Sequence, residues 1–414
     1  MVLVIYVKIA ILGCGAVGSA IARILRNMEI ADEILCIDKN LKKMKSFLMD
    51  NDGFTIMECD VLKNEVYSEV RNYDLIVNAL PTSYHIGDRE YPINIRIMDI
   101  ALKAGVNYID LACFGGKSKI AEQLNLNHRF EASNLFALIN AGASPGLTNL
   151  LARENSEELD RIETISIKTL EEQRGNEFII PWSKAELFNV ASRSLIYRNG
   201  RFIFKEPFSE IEPYEFPEPF GRMNTYLISS DEVYTIPYFI KIKNLDVKAA
   251  GSDIEVLRTL YRIGIFDDEP ISYKGRRISP KRFMYSILPD TPPPNEVIKL
   301  TENGAIEEAY FAVFIDNYGR IRGEKALMRS YVIFPSQTQI SKILPGSNYI
   351  SYPTAICTIA FIKALTKKNN LYGVYPPEVL EKSLRREVLN FLEKEKIFVN
   401  MEFKIVEDKI ANQH

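Results

Sequence analysis

The sequence predicts an α/β chain: a doubly wound parallel sheet, then an α+β unit with a mostly antiparallel sheet. Three observations lead there. Apolar runs and helical patterns alternate through the first third of the chain, as repeated βα units do. Near Leu150 the pattern changes to strands with few helices between them. At 414 residues the chain is too long for one ordinary domain. The expected division is a parallel-sheet domain at 1–148, an α+β unit at 149–345, and a helical segment at 346–414 that packs back on the first domain.

The elements follow in order. Val4–Leu12 is a continuous apolar run and reads as the first strand. After Gly13-Cys14-Gly15-Ala16-Val17-Gly18, Ile21, Ile24, Leu25 and Met28 fall on one helical face. Further strands are expected at Glu33–Ile37, Phe54–Cys59, Asp74–Ala79, Val106–Ala112 and Leu135–Ala141. Ile93, Ile97, Ile100, Ala101 and Ala104 share a helix face that Gly105 ends. In the second unit Ile162–Leu170 alternates apolar and polar residues. Similar strand-like runs lie at Leu195–Phe204, Tyr234–Lys241, Tyr310–Ile315 and Lys325–Phe334, with a hairpin loop expected at Asn317-Tyr318-Gly319. Segments 207–219 and 288–294 read as irregular loop. Pro353–Ala364 is apolar nearly all round and reads as a buried helix; Pro376-Pro377 opens another.

Composition narrows the function. The chain is 47% hydrophobic and 25% charged, with a net charge of -3, which is the profile of a soluble globular protein. No basic block suits nucleic acid and no basic amphipathic segment suits a membrane surface. Lys8 and the three glycines make the N-terminal run a strand and turn rather than a targeting segment. Cys14, Cys36, Cys59, Cys113 and Cys357 are scattered without metal-binding spacing, so no metal is expected and a reducing cytoplasm fits. Cys113 is expected to be a small buried thiol.

Strand, glycine turn, helix, strand and acid come in the order a Rossmann dinucleotide fold requires. Gly13 permits the tight turn, Gly15 lets the backbone approach a pyrophosphate, and Gly18 lets the helix pack close. Ala16 and Val17 open the helix, whose free N–H groups face the phosphates. Asp38 ends the next run about twenty residues after Gly18. There its carboxylate accepts from an adenosine ribose and repels a 2'-phosphate, which favours NAD over NADP. Lys39, with Lys42 and Lys43, pulls the other way. Asp60, before Val61, suits either the adenine amino group or a helix cap. Asn78-Ala79-Leu80-Pro81 ends the fourth strand, where the nicotinamide half is expected.

Residues for chemistry are fewer. His85, one of three histidines, lies just beyond that loop and suits proton transfer or carboxylate binding, or a plain packing role. Asp110 ends the fifth strand and either orients a ligand or caps the next segment. Pro145, Gly146 and Asn149 lie at the start of a helix at the unit boundary, a place to hold an amino-acid carboxylate. In the second unit Glu171, Glu172, Arg174, Arg193 and Arg222 are candidates for substrate contacts, with Arg174 and Arg222 preferred for bidentate carboxylate binding.

These stretches together resemble the saccharopine dehydrogenase family, in its reductase and lysine-dehydrogenase-like branch. The matching pieces are GCGAVGSAIA, NALP with His85 after it, ALKAGVNYIDLA, SPGLTNLLA, FPEPFG, DEVYTIP, the apolar helix after SYPTA, and GVYPPEVL. They run through nearly the whole chain in a specific order. The resemblance implies a Rossmann domain and a second domain that carries substrate groups and a dimer interface. It implies NAD(P) chemistry on a C–N bond of an amino acid or polyamine adduct, as in lysine and other amino-acid metabolism. Gly13, Gly15, Gly18, Asp38, Asp60 and Asn78 would then touch cofactor, and His85, Pro145, Gly146 and Asn149 substrate. The stretch Asp110-Leu111-Ala112-Cys113-Phe114-Gly115-Gly116 lacks the aromatic-rich segment of saccharopine reductases. That departure points to a lysine-dehydrogenase-like or carboxynorspermidine-dehydrogenase-like substrate.

The expectation is an NAD-linked, homodimeric, cytoplasmic oxidoreductase acting on the CH–NH bond of an amino acid or its imine adduct. Two other readings stand beside it. One is a carbonyl dehydrogenase of the homoserine or semialdehyde type, whose acylating form needs Cys113. The other is a regulator that senses NAD(H) without catalysis.

Overall fold

A computed structural model describes residues 7–49, 53–62, 66–86, 89–115, 118–366 and 371–406; at 85, 86, 89 and 90 only the backbone is described. The six predicted strands, joined by Gly373–Tyr375, which the sequence did not announce, form one parallel seven-stranded sheet. Its order is Gly373–Tyr375, Phe136–Leu138, Asn107–Asp110, Leu75–Asn78, Lys8–Leu12, Glu33–Asp38, Thr55–Glu58. Lys8–Leu12 is the central strand, with Glu33–Asp38 on one side and Leu75–Asn78 on the other. Chain order reverses there, and an open α/β sheet binds ligands at such a switch point, beyond the carboxyl ends of its strands. The helix Ala16–Asn27 leaves the glycine turn as predicted, and Ile93–Ala104 ends on left-handed Gly105.

The second sheet has nine strands and is mixed. Arg161–Gly175 lies in its middle, antiparallel to Ile306–Ile321 and parallel to Asn244–Ala250. The other pairings are antiparallel. Side chains alternate between its faces. Helix Leu147–Glu157 covers one face, where Asn317 Nδ2 donates to Ala152 O at 2.9 Å and Ser156 Oγ at 2.9 Å. The hairpin of Glu212–Phe216 with Gly221–Leu227 covers part of the other, where Tyr214 and Phe216 pack on Phe314.

Five sequence expectations are corrected: segment 207–219 is not loop throughout but holds the strand Glu212–Phe216, Pro376-Pro377 leads into a 3-10 turn, Pro377–Val379, with the helix following at Lys382–Lys394, and three more follow. Tyr234–Lys241 is not a strand but a 3-10 turn, Asp231–Tyr234, followed by the short helix Ile236–Phe239. Pro237 lacks the N–H a ladder needs and fits a helix start. The hairpin after Ile306–Ile321 turns at Arg322-Gly323, both at positive φ, whereas Asn317-Tyr318-Gly319 lies within the strand. Gly319 instead marks a register shift, and a Cβ there would sit 2.1 Å from Arg161 O. Leu195–Phe204 is two strands joined by Asn199-Gly200, also both at positive φ, a pair suited to a tight hairpin.

The C-terminal part divides between the sheets. Helix Ser351–Leu365 is buried nearly all round and packs on Ala16–Asn27 and Lys382–Lys394. Gly373–Tyr375 extends the parallel sheet. Asn400–Ile405 crosses to the second sheet and pairs with Glu324–Ile333.

Candidate functional site

The glycine turn is built by close backbone approach. Gly13 N donates to Ile37 O at 2.9 Å, and Ala79 N donates to Leu12 O at 2.8 Å, so the turn is held between its two neighbouring strands. A Cβ on Gly18 would stand 1.9 Å from Gly13 O, so only glycine allows this packing. A Cβ on Gly15 would meet nothing within 4 Å. The turn is therefore open where a pyrophosphate would lie, at the first residues of a twelve-residue helix whose Ala16 and Val17 are half-buried. Asp38 Oδ2 accepts from Cys14 N at 3.0 Å and Oδ1 from Asn40 N at 3.1 Å. Its carboxylate thus stands at the rim of the turn. Lys39 and Lys42 point to solvent, and Lys43 lies 3.8 Å from Asp290. Asp60 accepts from Leu62 N at 3.0 Å and so closes a local turn, with Val61 buried behind it. These residues fit a dinucleotide.

The next strands bring the nicotinamide end. Asn78 and Asp110 sit side by side at the ends of Leu75–Asn78 and Asn107–Asp110. Asn78 Nδ2 donates to Tyr108 Oη at 2.9 Å and to Asn94 Oδ1 at 3.3 Å, and its Oδ1 accepts from Leu80 N at 3.3 Å. Ala79, Leu80 and Pro81 turn away from the sheet, Pro81 exposed. Asp110 is buried and accepts from Tyr108 Oη at 3.0 Å, Gln123 Nε2 at 3.0 Å, Asn94 Nδ2 at 3.2 Å and Asn140 N at 2.9 Å. Burial pushes its carboxyl up to about 7, against those donors. Asn140 lies beside Cys113, and neither its Oδ1 nor its Nδ2 has a hydrogen-bond partner among the described residues. Burial also pushes the Cys113 thiol well up, so little thiolate forms. His85 lies on the strand Ser83–Ile86 opposite Glu90, but its side chain is outside the described residues.

Asp231–Thr235 of the second unit lies over this edge. Cys113 Sγ donates to Asp231 O at 3.7 Å, and a Cβ on Gly115 would strike the Tyr234 ring. Glu232 is buried and accepts from Ser144 Oγ and Thr148 Oγ1, both at 2.7 Å, and from Ser230 Oγ at 2.5 Å. It ties the Pro145-Gly146 turn to the second unit. Gly146 has φ +131° and a Cβ there would meet Gly142 O at 2.1 Å. Asn149 is buried: Oδ1 accepts from Gly146 N at 3.0 Å, while Nδ2 donates to Thr235 Oγ1 at 3.1 Å and Glu378 Oε2 at 3.0 Å. Its amide braces the turn.

The structure does not bring Arg174 and Arg222 to this edge. Arg174 lies on the sheet face opposite Glu171, over the Tyr310 ring and 3.9 Å from Glu172. Arg222 is exposed on the hairpin strand that covers part of that face. Sequence reasoning passed over Asn94, Tyr108, Gln123, Asp231 and Glu232. Only Asp231 and Glu232 carried a local signal, two adjacent acids in the DEVYTIP stretch between apolar runs. Among the described residues no group of three His, Cys, Asp or Glu is arranged to hold a metal, and no helix is long and apolar enough to cross a membrane.

A glycine turn at the switch point, an acid at the rim and a second sheet over the carboxyl edge define a dinucleotide-binding fold. Residues 9–143 match the saccharopine dehydrogenase NADP binding domain family, and this domain belongs to it. The chain is 23% identical to carboxyaminopropylagmatine dehydrogenase of Synechocystis sp. over 300 residues, covering 68% of this chain and 72% of that one. The apo saccharopine dehydrogenase (L-Glu forming) of Saccharomyces cerevisiae has the same fold, with a TM-score of 0.67 at 11% identity over 96% of this chain and 100% of that one. Residues 9–143 thus carry a saccharopine dehydrogenase-like NAD(P)-binding domain, and the whole chain shares the fold of the yeast enzyme.

Proposed function

We propose that this protein is an NAD-linked oxidoreductase that acts on the CH–NH bond of an amino acid or of an imine formed between a carbonyl compound and an amine. The observation that carries this reading is the meeting of Asn140, with its unpartnered amide, Asp110 and Asp231 at the carboxyl edge of the parallel sheet. A buried amide without a partner is costly, and a polar ligand beside it removes that cost. The 23% identical relative, a dehydrogenase named for a carboxyaminopropyl-agmatine adduct, supports a C–N bond as the reacting centre. The nicotinamide, when bound, supplies or accepts hydride at C4.

The chain's own residues align, exclude water and manage the proton. Asn78 fixes the Ala79-Leu80-Pro81 turn against the ring's side of the site. Asp110, held to about 7 by burial, is poised between its two forms near neutral pH and is a candidate for the amine or imine proton, with His85 the other. The N–H groups of Gly146, Leu147 and Thr148 at the next helix start are spent on Asn149 Oδ1, Gly142 O and Ala143 O, so this turn shapes the edge of the site rather than holding a substrate carboxylate. Asp38 favours NAD, because its carboxylate occupies the rim where a 2'-phosphate would stand.

Purified protein with NADH, a semialdehyde and an amine tests this. NADH is expected to be oxidised when carbonyl and amine are both present, and faster than NADPH. Oxidation with the carbonyl alone would instead support the carbonyl-dehydrogenase reading. Tight NADH binding without turnover on any pair would support a sensor.

A further inference from the structure

The second sheet ends in a strand that shows water an alternating row of large apolar side chains. Asn400–Ile405 closes the sheet on the side of Glu324–Ile333, and among the described residues no strand pairs with its outer edge. Its side chains alternate between faces. Met401, Phe403 and Ile405 share one face and are 54%, 49% and 47% exposed. Glu402 and Lys404 share the other, where Lys404 Nζ donates to Glu402 Oε2 at 2.9 Å. Phe398 and Val406, at the two ends, are exposed as well. A bare edge is a template for a further strand, and folds that must keep one unpaired blunt it with proline, a bulge or a surplus of charge. Asn400–Ile405 has no proline and no shift of register, and its two charges are of opposite sign.

The phase of the ladder fixes which backbone groups are free. Val406 N donates to Lys325 O at 2.9 Å, one step beyond the opposed pair Ala326 and Ile405. Hydrogen-bonded and non-hydrogen-bonded pairs alternate along an antiparallel ladder. Lys404, Glu402 and Asn400 therefore turn their N–H and C=O toward Glu324–Ile333, while Met401, Phe403 and Ile405 turn theirs outward. The residues with outward backbone groups are the same three that carry the exposed apolar side chains.

We propose that this edge pairs, antiparallel, with the same strand of a second copy of the chain and joins the two sheets into one. The strand is complementary to itself in a single register. A two-fold axis at Phe403 sets it opposite the partner's Phe403, with Met401 opposite the partner's Ile405. Every outward N–H then faces an outward C=O. Glu402 stands opposite the partner's Lys404, and Lys404 opposite the partner's Glu402. A slide of one residue sets outward backbone groups against inward ones. A slide of two keeps the phase but opposes Glu402 to the partner's Glu402, or Lys404 to the partner's Lys404. Hydrogen-bond phase and charge thus select the same register, and on the other face the apolar side chains of both copies form one stripe. This self-match makes a second copy the occupant, and an isologous contact of this kind closes at two chains. The family resemblance implies a homodimer without assigning its surface; this edge is that surface, whatever reaction the chain performs.

Sedimentation velocity over a concentration series tests this on the full chain, with thermal unfolding of each variant reporting the fold. The parent is expected to sediment at twice the 47.3 kDa chain mass. Phe403→Pro removes one outward N–H without touching the bonds to Glu324–Ile333, and is expected to weaken self-association at least about tenfold. Glu402→Lys and Lys404→Glu each set like charges across the axis and are expected to weaken it by a similar factor, about tenfold. An equal mixture of those two chains restores both opposite-charge pairs and is expected to associate within about threefold of the parent. A parent that stays monomeric overturns the proposal. So does a dimer that Phe403→Pro and both charge variants leave unchanged, because its contact lies elsewhere. A mixture no tighter than its two components overturns the register.

Discussion

Asp316 and Glu171 stand on adjacent strands of one sheet, both shielded from water, and their surroundings are opposite. Asp316 accepts from Arg329 Nε at 2.7 Å and Nη2 at 3.0 Å and from the Tyr214 hydroxyl at 3.3 Å, with Lys168 Nζ at 3.8 Å. Its side chain is 0% exposed and that of Lys168 1%. Glu171, on the other face, has an unpartnered oxygen and no cation. The first arrangement is complete within the chain, so it serves the fold. The second is left open, and a buried carboxylate oxygen without a donor or a cation carries a desolvation cost that the first does not.

Breaking the complete side should have the largest effect. Asp316→Ala leaves Lys168 and Arg329 without their common partner and is expected to cost about 3–5 kcal/mol in urea unfolding. A loss near zero would show that the network is compensated elsewhere and that the contrast is false.

The open side should respond in the other direction. Glu171 titrates at about 8 in the folded chain against an ordinary 4.5, so between those values the folded state holds a proton that the unfolded state has released. Stability from this group therefore falls as pH rises through that window, by up to about 1.4 kcal/mol per pH unit. Glu171→Gln is expected to flatten that part of the stability–pH curve and to make the chain relatively more stable above it. A slope identical to that of the parent chain would contradict the assignment.

Asp110 lies between the two cases, being buried but fully supplied with neutral donors. Asp110→Asn turns one donor pair face to face and should cost about 1–3 kcal/mol. If Asp110 handles the proton, the same change removes an inflection near 7 from the kcat profile, which a purely structural role would leave in place. The smallest effect is expected at Cys113. With its thiol buried and pushed up, Cys113→Ala should leave turnover within about twofold. A collapse of turnover would favour acylating carbonyl chemistry.

The legible parts of the molecule are those whose cause is local. The glycine turn, its helix and the first six parallel strands follow from periodicity within a few residues, and each was readable with ends off by a few positions. Asn199-Gly200 was hidden inside an apolar run, and Asn317-Tyr318-Gly319 drew attention from the true turn at Arg322-Gly323. There the sheet's pairing, not turn composition alone, chose the hairpin. Tyr234–Lys241 read as a strand by hydropathy, yet it folds as turns because it must lie across the parallel sheet's edge. The donors to Asp110 come from positions 94, 108, 123 and 140, and no spacing announces such a set.

The sequence by itself determined that a parallel sheet would begin with a glycine turn opening a helix, because backbone sterics and hydrophobic period act over one turn or one strand. Tertiary structure alone decided which carboxylates are satisfied and which stay open. Hydrogen-bond supply and charge balance depend on atoms within a few ångströms in space, and the chain brings those together from positions far apart along its length.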